Sequence, residues 1–183
     1  MNVISSCRIN KDGVFVDDRK VFGRYGDSGV LTYFDNILEH FDISYPKYAK
    51  MDAMSKLGFL TAEILLDNIP DAGKDCSPYE CGVLLGNSSS SLNTDFNYWD
   101  TFKYIPSPSM FVYTLPNVVI AEICIRCGFK GENMFFIADS FASSGVEEYA
   151  GLMLAGGNLK FCLYGWVELL KDAFDSVIFA ARS

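Results

Sequence analysis

Three kinds of side chain in this sequence have the chemistry for a functional site: clustered serines, six cysteines and one histidine. Ser88-Ser-Ser-Ser91 sits in a polar run, Asn87 to Asp95, and invites reading as a phosphate-cradling loop. It lacks the glycine spacing and the lysine of a P-loop, so it reads as a turn. That turn follows a short apolar strand, and the carboxyl ends of such strands are where α/β folds place ligand sites. Ser140, in Ala138-Asp-Ser-Phe-Ala142, opens a helical pattern and is first of all a good N-cap residue. Cys124 and Cys127 fall inside an apolar helical pattern, where cysteine behaves as a small hydrophobe. Neither a disulfide framework nor a metal cluster is expected from Cys7, Cys76, Cys81, Cys124, Cys127 and Cys162. His40 comes at the end of a helical stripe, where an exposed histidine is favourable.

The elements that must hold these residues follow from periodicity. Residues 1–27 alternate weakly and suit a short hairpin or irregular strands. Ser28 to Phe41 carries a helical stripe (Val30, Leu31, Phe34, Ile37, Leu38, Phe41) with Ser28 as N-cap, and Pro46 breaks the chain after it. From Lys50 to Asn68 the apolar positions step by three and four, giving a second helix. Cys81–Gly86 reads as a buried strand, Phe96–Ile105 as an aromatic helix or loop, and Leu115-Pro-Asn117 opens a helix that ends at Gly128. Met134–Ala138 is expected as a strand, Ser140–Ala155 as a helix and Phe161–Tyr164 as a strand. Val167–Ala173 reads as a short helix or turn, and Ser176–Ala180 as a last strand. Helices alternating with short apolar strands predict an α/β fold, with helices packed on a layered, mostly parallel sheet. A single domain over 1–183 is expected, with residues 1–46 as its N-terminal segment.

Composition narrows the partners. The chain has 183 residues, half of them apolar and 15% aromatic, which suits a compact core. With 23 acidic against 15 basic residues the net charge is −8, and the acidic excess lies wholly after residue 50. No nucleic-acid partner and no docking on anionic lipid is expected. The N-terminus lacks the pattern of a signal peptide, and Ile105–Ala121, the longest charge-free apolar stretch, holds three prolines. No membrane span is expected, and a cytoplasmic location with free thiols is.

Four stretches, in order along residues 47–181, resemble the first half of a β-ketoacyl synthase. They are Lys50-Met-Asp52 with Ser55-Lys-Leu-Gly58; Gly82 to Asp95; Pro108, Phe111 and Leu115-Pro-Asn117 with Gly128-Phe-Lys-Gly131; and Met134 to Gly145 followed by Phe161–Glu168. The last part is similar to a strand and a Gly-Gly-x-Glu-like turn. The resemblance implies a thiolase-like half-fold and, more finely, a short synthase-like protein of the aryl-polyene and flexirubin pigment type. It also implies a cysteine nucleophile at a helix N-terminus, where the dipole favours thiolate. Counted from Gly128-Phe-Lys-Gly131, that position falls on Ser140. The run to Gly145 is longer than the family's usual spacing, which would let Asp139, Phe141 or Ser143 take the slot, and none of these is cysteine. A hydroxyl needs an adjacent base to act as a nucleophile. The family's two histidines, lysine and oxyanion loop belong to a second half with no counterpart here, and His40 lies far upstream.

The resemblance therefore implies a 3-oxoacyl-carrier-protein-synthase-like protein that is inactive alone: a non-catalytic, chain-length-factor-like subunit of fatty-acid or polyketide-type synthesis, without a cofactor or metal. Its partners would be a second copy or a full-length ketosynthase, with acyl carrier protein as a further one. The alternatives are a Ser140-dependent acyl hydrolase, a condensing enzyme completed by a partner chain, and a degenerate module that binds an acyl chain or its carrier. Phe96, Tyr98, Trp99, Phe102 and Tyr104 would line an acyl channel or pack in a core or interface. Val146, Tyr149, Ala150, Met153 and Leu154 form one helical stripe for the sheet, leaving Glu147 and Glu148 to face solvent or a partner. Met134–Ala138 is expected at the sheet edge, pairing antiparallel with a second copy.

Overall fold

A seven-residue run in which every side chain is buried, Cys81-Gly-Val-Leu-Leu-Gly-Asn87 (β4), lies near one end of a single seven-stranded sheet. The computed structural model describes residues 1–23, 29–71 and 73–183. The strands are β1 (Asn2–Asn10), β2 (Gly13–Val16), β3 (Arg19–Gly23), β4, β5 (Asn133–Ile137), β6 (Phe161–Leu170) and β7 (Ala173–Arg182). Their order is β3-β2-β1-β7-β6-β4-β5.

The sheet is mixed, which corrects the expectation of a mostly parallel one. Only β4 with β5 and β4 with β6 run parallel; the other four neighbours are antiparallel. Connection length is the reason. Parallel neighbours need a crossover, which α5 and α6 supply around β4 and β5, whereas a two-residue turn permits only a hairpin. β1–β2, β2–β3 and β6–β7 are all joined by such turns. Asp17 and Asp18 both have positive φ (48° and 62°), as a type I′ hairpin turn requires, and aspartate tolerates that region. The Val167–Ala173 run holds its turn only at Lys171-Asp172, since β6 continues to Leu170 before the chain turns back. Residues 1–23 follow the hairpin alternative: β1 and β2 form one, and β1 also pairs with β7 along nearly its whole length.

Among the described residues six α-helices complete the fold: α1 (Val30–His40), α2 (Ala53–Asn68), α3 (Leu92–Thr101), α4 (Pro108–Val112), α5 (Val118–Cys127) and α6 (Val146–Ala155). The expected N-cap Ser28 lies outside the described residues. α2 is capped by Asp52, whose carboxylate accepts from Ser55 N at 2.9 Å. α5 ends at Gly128 in the left-handed conformation (φ 72°), as the sequence pattern predicts. α1, α2 and α5 cover one face of the sheet in a large core that includes Phe34, Leu57, Leu60, Val83 and Leu163. α6 alone covers part of the other face, through Val146, Ala150 and Leu154 packed on Leu84, Cys162 and Tyr164. Tyr149 and Met153 are only half-buried beside that cluster, so the stripe is narrower than expected. Glu147 and Glu148 are exposed, as anticipated.

α6 begins six residues later than the sequence pattern suggests. Gly145 at φ 72° interrupts any helix started at Ser140, and residues 140–144 form successive turns instead. Gly145 is the N-cap residue, and Ser144 just before it accepts at Oγ from Val146 N at 3.2 Å. β5 lies at the edge of the sheet, with Met134 and Ile137 exposed. Among the described residues no helix is long and apolar enough to cross a membrane.

Candidate functional site

The parallel strands β6-β4-β5 bring their carboxyl ends together, and the serine-rich turn, the β5–α6 elbow and the second half of β6 meet there. The turn is built by its neighbours. Asn87, fully buried, spans it with both ends of its amide: Nδ2 donates to Ser90 O at 2.8 Å and Oδ1 accepts from Ser90 N at 2.9 Å. Ser90 takes positive φ (54°) as a result. Glu168, from β6, accepts from Ser88 N at 2.7 Å, from Ser88 Oγ at 2.6 Å and from Ser89 Oγ. Ser91 Oγ donates to Thr114 O at 2.7 Å, tying the turn to the segment after α4. These serines spend their hydroxyls on shaping the backbone, in keeping with their reading as a turn.

The Glu168 clamp was only half legible. A turn with a glutamate was expected here, whereas the glutamate stands inside a strand and holds a turn that lies 80 residues earlier. The usable signal was an acidic residue inside the apolar run Tyr164–Leu170. Such a residue needs a partner, and nearby hydroxyls supply it.

The elbow starts where Ala138 N donates to Asn87 O at 3.1 Å, extending the β4–β5 pairing. Phe141 then anchors it, stacking on Phe179 (5.9 Å) and meeting Trp166 edge-on (6.4 Å). Ser140 is exposed. Its hydrogen bonds among the described residues all go to Ser143: Oγ to Oγ at 3.0 Å, Ser140 N to Ser143 Oγ at 3.1 Å and Ser143 N to Ser140 Oγ at 3.3 Å. Ser140 is thus not a helix cap but one half of a two-serine turn. A hydroxyl paired with another hydroxyl gains no proton acceptor that would raise its nucleophilicity.

His40 lies on the α1 side of the sheet, exposed at the end of α1 with its ring tilted against Phe22 at 4.6 Å. Asp139 and Ser143 are exposed beside Ser140, and Phe141 turns toward the sheet. Burial pushes the Cys124 thiol up to about 11. Burial, aided by Glu63, pushes Cys127 up to about 12. Neither thiol is set up as thiolate, the form that attacks or ligates. Among the described residues no group of three or more His, Cys, Asp or Glu is arranged to hold a metal.

Beyond the turn, α3 and α4 carry an exposed apolar surface. Trp99, Tyr104 and Ile105 are 70%, 88% and 84% exposed, and Phe96, Phe102, Phe111 and Leu115 are exposed beside them. Of the expected aromatic group only Tyr98 is half-buried, against Phe102 and Phe111. A surface of this kind usually marks an interaction site.

No family model and no curated protein matches the sequence. Solved structures do match the fold. The ishigamide ketosynthase/chain length factor superposes with a TM-score of 0.71 at 14% identity, over all of this chain and 62% of that one. A chain of the ketosynthase ApeO in complex with its chain length factor ApeC, from Xenorhabdus doucetiae, gives 0.62 at 12% identity, covering all of this chain and 79% of that one. A β-ketoacyl synthase from Burkholderia phymatum STM815 gives 0.69 at 13%, over all of this chain and 58% of its own. The chain spans about three fifths of the first of these, and its fold is the thiolase-like fold of the ketosynthases.

Proposed function

We propose that this chain is a non-catalytic, chain-length-factor-like subunit that assembles with a ketosynthase in fatty-acid or polyketide-type acyl chain synthesis. The observation that carries the reading is the elbow between β5 and α6, where Ser140, the residue that the resemblance assigns to the thiol position, is bound to a second serine. We place Ser140 at the position of the family nucleophile, without a catalytic role. The likeness to complexes of a ketosynthase with a chain length factor supports the partnership. So do the β5 edge and the exposed aromatic surface of α3 and α4, both costly to leave bare. The partner is a full-length ketosynthase or a second copy, joined through an antiparallel β5 contact. Acyl carrier protein is a further partner of the assembly, which works in the cytoplasm, and residues 1–183 act as one domain. An aryl-polyene or flexirubin-type pathway is the finer setting.

Two measurements test this. Light scattering should find an oligomer at micromolar concentration, alone or with a co-expressed ketosynthase. Met134→Lys with Ile137→Lys should dissociate it without lowering monomer stability, since both side chains are exposed. A wild-type monomer that binds no ketosynthase overturns the subunit reading. The isolated chain should also release no CO₂ and form no β-ketoacyl product from acyl and malonyl carrier-protein substrates. Turnover lost in Ser140→Ala would establish a Ser-dependent acyl hydrolase or condensing enzyme instead.

A further inference from the structure

α2 buries a lysine. Lys56 is only 9% exposed, between Ser55 and Leu57 on a helix that is buried over most of its length. An ammonium has three donors and is costly to bury unless they are met. Its ion partner is Asp35 Oδ1 at 3.5 Å, beyond ordinary hydrogen-bond reach, and the Tyr48 ring lies 4.7 Å away. The Asp35 side chain is itself 54% exposed, so water competes for it.

Lys56 also lines an open cleft of about 320 Å³ between α1, the first turn of α2, α3 and α4. The volume is at the lower end for small-molecule sites. Leu31, Met51 and Met110 give the cleft an apolar side, and Lys50 and Asn97 stand with Lys56 on the polar side. One carboxylate, Asp52, also lines it, but both its oxygens are engaged: Oδ1 by Ser55 N at 2.9 Å and Oδ2 by Thr94 Oγ at 2.5 Å. Two lysines against this one carboxylate leave the lining net positive, in a chain whose net charge is −8.

We propose that this cleft binds an amphipathic anion, a short- or medium-chain carboxylate whose head group replaces Asp35 as the close partner of Lys56 and whose tail lies along Leu31, Met51 and Met110. The site is separate from the Ser140 elbow, and binding is read directly, so its test does not depend on the subunit reading.

Calorimetric titration of the full chain with octanoate, octanamide and inorganic phosphate separates head from tail. Octanoate should bind about tenfold or more tightly than either of the others, a difference of about 1.4 kcal/mol. Equal binding of octanamide removes the ammonium from the argument, and equal binding of phosphate removes the tail. Lys56→Met, similar in volume, should lose the preference for octanoate over octanamide. Asp35→Asn should tighten octanoate severalfold by removing the competing carboxylate; weaker binding in Asp35→Asn overturns the exchange of partners. Should Lys56→Met fail to fold, the three-ligand comparison on the unaltered chain and the Asp35→Asn result still decide.

Discussion

One face of the sheet carries three helices and the other carries one, and the two surfaces are made differently. Under α1, α2 and α5 the strands present Ile9, Val83, Phe161, Leu163, Ile178 and Ala180, all sealed by helical side chains. On the opposite face α6 packs mainly on β4 and β6, with Tyr149 meeting Phe136 of β5, and strands further along turn out Arg8 and Asp175, an exposed bidentate ion pair at 2.8 and 2.6 Å. Ser6, Asn10 and Asp18 join Arg8 around an open hollow of about 430 Å³. Stability thus resides on the first face, while the second mixes a small core with a surface that water can wet.

The largest expected effect tests that asymmetry. Leu57, fully buried in α2, is held among elements that cannot close on a void, since α2 touches α1, α5, β1, β6 and β7. Leu57→Ala should cost about 3–5 kcal/mol. Leu154→Ala on α6 should cost less, about 2–3 kcal/mol, because a helix with a free outer side can settle onto the sheet. Chemical denaturation of both variants checks the order, and equal losses would mean that α6 is as tightly held as α2.

Alkaline titration gives an intermediate effect. On the first face burial raises Cys124 and Cys127 from 9.0 to about 11 and about 12. On the second, burial raises Cys162 from 9.0 to about 12, and burial followed by the Glu147 charge raises Tyr164 from 10.0 to about 12. The unfolded chain releases these protons first, so stability is complete below pH 9 and falls as pH rises toward 12. Melting temperature against pH should show the decline, and Cys127→Ala should flatten it. A wild-type curve level from pH 8.5 to 11 would mean that the thiols are more open to water than their packing indicates.

The smallest effect is on the outer side of α6. Glu147→Gln should change stability by no more than about 0.5 kcal/mol, since Glu147 is exposed and glutamine can still accept a hydrogen bond. A loss several times larger, by the same denaturation measurement, would show that this side of α6 is enclosed.

The elements that were legible in the sequence are those whose burial is decided locally. α2 and α5 show their faces by period, and β4 by an unbroken apolar run between glycines. What escaped depends on partners distant in the chain. β6 beyond Tyr164 alternates buried Trp166, Val167 and Leu169 with half-buried Glu168 and Leu170, too weak a period to separate strand from helix until β7 pairs with it. The role of Lys56 was equally hidden, because a lysine in a helix reads as solvated unless its neighbours' depth is known. At the elbow, Ser140 looked like a cap because serine favours that place; the left-handed Gly145 is what moved the helix start.

The pairing of β1 with β7 has a kinetic consequence. Asn2 lies opposite Arg182 and Asn10 opposite Asp175, so one of the longest ladders in the sheet joins the two ends of the sequence. β1 can fold back on β2 and β3 as soon as they exist, yet its other edge stays unpaired until β7 is made. At synthesis rates of 5–20 residues per second, that edge waits roughly 8–30 s. Contacts this far apart in sequence also slow folding, because closing the intervening loop costs entropy before the ladder returns any stability. The β1 edge is therefore open to wrong pairing while the chain is young, and β1 becomes an interior strand only when β7 arrives.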